Sequence, residues 1–283
     1  MPILDTNLYY WRGLLAGLAL CLLGLVLVWW PQPKQGLYLI LQQLLKAKLV
    51  WETRDWREIE GEHFRIRYQG DAEGADEARL VLQTAEKFYP SLLKKFHISG
   101  IEGKTLVVIF PDKDSLNRSF GWGGDQGTMG VYWAGTIRVL APQQWAQAEE
   151  DFVVNGPMAH EFAHLLVDKL TLGNYPRWLT EGIAQQLEYE LTGFEFKARS
   201  GSHSWYPVEM MDGQFDSLPD QELAYIQARQ MVRFMEERYG EKAWRRLLPY
   251  LGQGWPFSWA WYKAFGENFA DFSRAFITTD QAG

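Results

Sequence analysis

The sequence predicts an α+β protein: a small, mostly antiparallel sheet and then a helical half, behind a single membrane-spanning helix. Three observations predict it. "HFRIRY" (63–68) alternates apolar and charged residues as a half-buried strand does, and "TLVVIF" (105–110) is a continuous apolar run that stops at Pro111. Beyond about residue 146 the apolar positions recur at helical spacing almost to the end of the chain. Near the amino terminus, 13–30 reads "GLLAGLALCLLGLVLVWW", eighteen residues without a charge, the minimum length of a membrane span.

Taken in order, residues 1–12 form a short tail and 13–30 the expected anchor. Tyr9, Tyr10 and Trp11 flank one end of that run and Trp29 and Trp30 close the other, as headgroup-level aromatics do. No small-x-small cleavage site follows, which argues for an uncleaved anchor over a signal peptide. A short tail before a single span commonly stays inside, so the expectation is a single-pass protein with its large domain extracytoplasmic. Residues 31–55 contain "GLYLILQQLLKAKLVW" (36–51), read as an amphipathic helix that lies on a lipid surface or packs on the following domain.

The domain proper is expected over 56–283, its sheet within 56–145. After the strand at 63–68, Asp71 to about His97 reads as a helix, with Pro90 marking a kink or break. After the strand at 105–110, "GVYWAGTIRVLAP" (130–142) reads as two short strands joined at Ala134-Gly135. "GWGGDQG" (121–127) lacks the Lys-Ser/Thr of a phosphate loop and reads as a mobile loop near a cleft. In the helical half, 146–283, helices are expected over Gln221–Tyr239, Lys242–Leu251 and Asn268–Ile277.

Composition narrows the chemistry. With 283 residues, 47% of them hydrophobic, the chain can build a full core. A net charge of −7 without a dense basic block excludes a nucleic-acid footprint. A single cysteine, Cys21, rules out an intrachain disulfide and a thiolate metal cluster, so any metal must be held by His and carboxylate. The fourteen tryptophans read as bulky core filler and interface anchors.

The chemistry sits in "AHEFAHLL" (159–166). His160 and His164 are four residues apart, so on a helix both imidazoles project from one face, near enough to share one ion. Glu161 then stands beside the metal rather than on it, where a general base belongs. Asn155-Gly156-Pro157 supplies the helix start. A catalytic zinc needs a third protein ligand with a fourth position left open. Glu181, in "YPRWLTEGIAQQLEYE" (175–190), lies one turn into a second helix and faces back if the two helices pack antiparallel.

"HEFAH" followed by "PRWLTEGIA" resembles the gluzincin zinc metallopeptidases, specifically the bacterial peptidase MA-like domain. The resemblance implies a zincin-like fold, one Zn²⁺ ion held by His160, His164 and Glu181, and a peptide or protein substrate. It also implies that Thr136–Leu140 borders the cleft as the strand pairing with substrate, and that an oxyanion donor is present. Tyr225 in "LAYIQARQ" is the first candidate from the family pattern, with His203 and Tyr206 as alternatives. Sixteen residues separate His164 from Glu181, a shorter connection than in the aminopeptidase branch, and no G-x-M-E-N element precedes the motif. Aminopeptidase activity therefore does not carry over.

The implied function is a membrane-anchored zinc metallopeptidase in which Glu161 takes a proton from zinc-activated water and returns it to the leaving amine. The rival reading is a catalytically silent zincin-fold module that holds a peptide or cell-wall polymer. An intramembrane protease is disfavoured, because Asp151, Asp168 and Lys169 flank an apolar run too short to span a bilayer. Substrate identity and oligomeric state leave no mark in the sequence.

Overall fold

The computed structural model describes residues 17–18, 21–22, 24, 31–121, 129–144, 149–196 and 204–280. A 22-residue helix, α1 (Pro31–Glu52), leads into the sheet strands β1 (Arg57–Glu60) and β2 (Phe64–Tyr68). Helix α2 (Ala72–Phe96) follows, then β3 (Thr105–Phe110), the short α3 (Lys113–Ser119), and the hairpin of β4 (Gly130–Trp133) and β5 (Thr136–Leu140). From there the described chain is helical: α4 (Glu149–Asn155), α5 (Met158–Thr171), α6 (Arg177–Thr192), α7 (Gln221–Tyr239), α8 (Trp244–Gly252), α9 (Phe257–Phe265) and α10 (Phe269–Asp280). The expected α+β class is met.

The expected sheet is corrected in two respects. Its order is β1-β2-β3-β5-β4, with antiparallel pairs at both margins and parallel pairs β2–β3 and β3–β5 between them, so it is mixed rather than mostly antiparallel. The cause is connectivity: α2 carries the chain from β2 across one face to β3, and a helical crossover returns the next strand parallel. The bordering strand is also different. Thr136–Leu140 lies inside the sheet between β3 and β4 with every residue buried, and β4 is the edge.

Asp71 caps α2 by accepting from the Glu73 amide at 3.2 Å. The helix runs through Pro90 without breaking. Phe88, Tyr89, Leu92 and Leu93 are buried on either side of it, and that packing outweighs the one lost backbone bond. One face of the sheet, with Phe64, Ile66, Val107, Ile109 and Ile137, joins α2, α5, α6 and α7 in the main core. The opposite face carries a smaller cluster of Leu106, Val108, Phe110, Leu116 and Leu140, closed by Leu49 of α1. Trp178, Trp244 and Trp261 are fully buried, in keeping with tryptophan as core filler.

The expected membrane placement is overturned. No helix among the described residues is long and apolar enough to cross a membrane. Helix α1 has the length, but Lys34, Lys46, Lys48 and Glu52 stand along it together with Gln35, Gln42 and Gln43. This corrects the single-pass, extracytoplasmic assignment and the bilayer partner that went with it. The 13–30 run on which they rested lies for the most part outside the described residues.

Candidate active site

Helix α5 begins directly after Pro157, whose carbonyl accepts from the Glu161 amide at 2.8 Å. It then runs through the main core on Phe162, Ala163, Leu166 and Val167. The polar stripe left over is His160, His164 and Asp168, at successive spacings of four on one helix face. Helix α6 lies antiparallel beside it, since His160 meets Glu188 while His164 meets Thr180 and Glu181. Buried Trp178 anchors α6 by stacking on Phe269 at 5.7 Å and meeting Phe257 edge-on at 6.1 Å. The glycine after Glu181 has its own reason. A Cβ on Gly182 would come within 2.2 Å of the Ala228 carbonyl, so only glycine lets α7 lie this close to α6.

Nε2 of His160 and Nε2 of His164 are 3.0 Å apart, and Oε2 of Glu181 lies 3.2 Å from the first and 3.4 Å from the second. These three residues could hold a metal ion. Donors each about 2.0–2.1 Å from one tetrahedral zinc ion stand roughly 3.3–3.4 Å apart, so the triangle fits zinc with slight contraction. The ring nitrogens facing away are fixed as well. His160 Nδ1–H donates to Glu188 Oε2 at 3.0 Å, and His164 Nδ1 lies 2.6 Å from Thr180 Oγ1, which leaves both Nε2 atoms turned toward the shared point.

The carboxylates are held in different states. Burial pushes Glu181 up, but the Arg177 guanidinium, 2.9 Å from its Oε1, and His164 outweigh it and hold the carboxyl well below the usual range. Arg177 is braced in turn by Asp216 at 3.2 Å, and its own backbone amide donates to Asp212 at the start of α6. Burial raises Glu161, opposed by the two imidazoles. Oε2 of Glu161 accepts from the Tyr132 backbone amide at 2.5 Å, which ties this side chain to the edge strand. Burial opposes a charge on His160, yet Glu188 and Glu181 raise its pKa well above the ordinary histidine value.

Tyr225 of α7 lines the same cavity, of about 980 Å³, as His160, Glu161, His164 and Glu181. Its ring stacks on Phe196 and meets Phe215 edge-on. The neighbouring Glu181 carboxylate, then burial, raise its phenol well above the ordinary value, so it is a protonated donor at neutral pH. Tyr206 is engaged elsewhere, accepting from the Asp220 amide at 2.9 Å, and does not line the cavity. His203 and residues 122–128 lie outside the described residues.

Sequence reasoning passed over Glu188, Thr180, Arg177 and Asp168. Glu188 had a legible signal, seven residues beyond Glu181 and therefore on the same face of α6. Asp168 had none, because its partners come from distant segments. The buried carboxylate accepts from Tyr38 and Tyr132 hydroxyls at 2.5 Å each and from Gln42 at 2.9 Å.

Residues 146–278 match the family model of the Peptidase MA superfamily. No curated protein matches the chain. Among solved structures it is similar to the crystal structure of a mutant M1 zinc metallopeptidase from Deinococcus radiodurans, with 15% sequence identity and a TM-score of 0.44. That match covers 78% of this chain and 50% of the other, so the chain spans about half the length of that protein. The matched segment holds the His160–His164–Glu181 group and helices α4 to α9 with most of α10, and it supports a gluzincin-like peptidase MA domain over residues 146–278.

Proposed function

We propose that the protein is a zinc-dependent metallopeptidase that hydrolyses peptide bonds, with His160, His164 and Glu181 holding one Zn²⁺ ion and Glu161 acting as general base. The observation that carries the reading is the spacing of the three donor atoms, 3.0, 3.2 and 3.4 Å, close to the edges of a zinc tetrahedron. Bound there, zinc supplies Lewis acidity toward a water and a substrate carbonyl. Glu161, raised by burial, accepts the proton of the attacking water and delivers it to the departing amine. The Tyr225 hydroxyl, kept protonated, donates to the oxygen on which charge develops.

Arg177 occupies Oε1 of Glu181 and leaves Oε2 for the ion. Glu188 and Thr180 orient the two imidazoles. The test is zinc content and chelator-sensitive hydrolysis of a diverse peptide pool by the full chain. Glu161→Gln should retain zinc and lose activity by a factor of about 10²–10⁴. Unchanged turnover in that variant sinks the assignment, and zinc bound without hydrolysis in the unaltered protein favours a silent binding module.

A further inference from the structure

Outside the segment matched by the Peptidase MA model, α1 contributes Tyr38, Leu41, Gln42 and Leu45 to the cavity that holds the histidines. It is fastened there, not merely adjacent. Tyr38 and Gln42 donate to Asp168, and Gln42 also donates to the Tyr132 hydroxyl at 3.3 Å. Gln35 donates to the Gly252 carbonyl at 2.6 Å.

The edge strand that α1 meets has a defined polarity of faces. The Leu140 amide donates to the Met129 carbonyl, and the register pairs Val131 with Arg138 and Trp133 with Thr136. The main-chain groups of 129, 131 and 133 therefore turn toward β5, and those of Gly130 and Tyr132 turn outward to the cleft, as the bond from the Tyr132 amide to Glu161 shows. A Cβ on Gly130 would sit 2.6 Å from Pro157, so the even-numbered residues face α5. Met129, Val131 and Trp133 then project their side chains on the other sheet face, beside Leu41 and Leu45 of α1, which are one helical turn apart. Together they line an apolar strip that the fold leaves open at its ends: Leu41 is 52% exposed and Trp133 39%, while Leu45 is half-buried and Met129 and Val131 are half-buried against the smaller core.

Resting on the metallopeptidase reading, we propose that this strip is a specificity subsite for a bulky apolar side chain of an extended polypeptide substrate, with α1 as its wall. A peptide that pairs with the outward main-chain groups of Gly130 and the carbonyl of Tyr132, whose amide is held by Glu161, places alternate side chains on the face of Met129, Val131 and Trp133. Leu41 and Leu45 close that face. The occupant is fixed by continuity: the strip begins at the strand whose amide already reaches Glu161.

The experiment uses the zinc-loaded full chain and an extended peptide series in which one position after another is Leu, Phe, Gly, Asp or Lys. The unaltered protein should prefer Leu or Phe over Asp at one position near the cleaved bond by about tenfold or more in kcat/KM. Leu41→Asp, at an exposed position, and Leu45→Asp should each abolish that preference and favour Lys there, each variant's rates being taken relative to its own rate on the Gly peptide. Binding of the uncleaved Leu peptide to Glu161→Gln should weaken by a similar factor when Leu41→Asp is added.

Unaltered preferences and affinities in both variants overturn the subsite while leaving the peptidase reading intact. The same holds if Leu41→Asp abolishes only a concentration-dependent self-association, which would make the strip a contact between copies. Failure of the unaltered protein to cleave any peptide overturns the reading beneath it, and the subsite with it.

Discussion

Replacing Glu188 tests whether the imidazole of His160 is held ready for a metal or only happens to be near one. The carboxylate is buried, its Oε2 is 3.0 Å from His160 Nδ1, and the His160 side chain is 13% exposed, so water replaces a lost acceptor there poorly. A buried, charge-assisted hydrogen bond of this kind contributes about 1.5–3 kcal/mol. Loss of an outer partner of a metal-bound histidine lowers metal affinity by about 10–100-fold, or ~1.4–2.8 kcal/mol, so the two routes agree. Glu188→Ala should therefore raise the zinc Kd by about 10–100-fold in a competition titration against a chromophoric chelator. Glu188→Gln keeps an acceptor oxygen without the charge and should fall at the lower end of that range. An unchanged Kd in a Glu188→Ala protein that melts at the same temperature as its parent would refute the reasoning, because Glu188 would then serve only as a counter-charge.

Four further outcomes follow from the same geometry. Gly182→Ala should destabilise the fold by about 1–3 kcal/mol in denaturant melts, because the new methyl would meet the Ala228 carbonyl. Thr180→Val should weaken zinc binding less than Glu188→Ala does, since a neutral partner of His164 Nδ1 is lost. Asp168→Ala strips the acceptor from Tyr38, Tyr132 and Gln42 and should cost at least about 2 kcal/mol, with α1 the first segment cut in limited proteolysis. Although burial pushes Glu190 up, Lys242 and Lys95 hold its folded-state pKa below the unfolded value. The stability it adds is present above the ordinary carboxylate range and is lost as pH falls through the lowered pKa, so Glu190→Gln should flatten the acid limb of a stability profile.

The parts of this molecule that a linear reading reaches are those whose geometry is set within one helix. His160, Glu161 and His164 need only the 3.6-residue repeat to be placed, and Gln221–Tyr239 is bounded by a capping Asp220 and by Gly240 at its end. Four of the five strand positions were legible for the same local reason, but β1, four mostly charged residues at Arg57–Glu60, was not, and neither was strand order. Alternation and apolar runs mark a strand without naming its neighbour, and the parallel pairings of β3 depend on how α2 and α3 cross the sheet. The misplaced edge follows from this. Thr136–Leu140 and Gly130–Trp133 are both short strands of one hairpin, and only the pairing of Val107–Phe110 with Ile137–Leu140 decides which of them is left open.

The stripe of His160, His164 and Asp168 connects the legible part of the site to the hidden one. The first two residues turn toward Glu181, and the third, one turn further on, receives α1 through Tyr38 and Gln42 and the edge strand through Tyr132. Tyr132 carries both functions at once, since its hydroxyl is held by Asp168 while its amide holds Glu161. A peptide seated along β4 would therefore rest on a strand whose position is set by the same helix that carries His160 and His164, the proposed metal ligands. On this geometry α1 is tied to the site, and loosening it should displace Tyr132 and Glu161, the proposed general base, together. Tyr38→Phe, which removes one bond to Asp168 and leaves the ring in place, should thus lower kcat with zinc content unchanged. A shift confined to KM would instead mean that α1 only walls the cleft and does not hold Glu161.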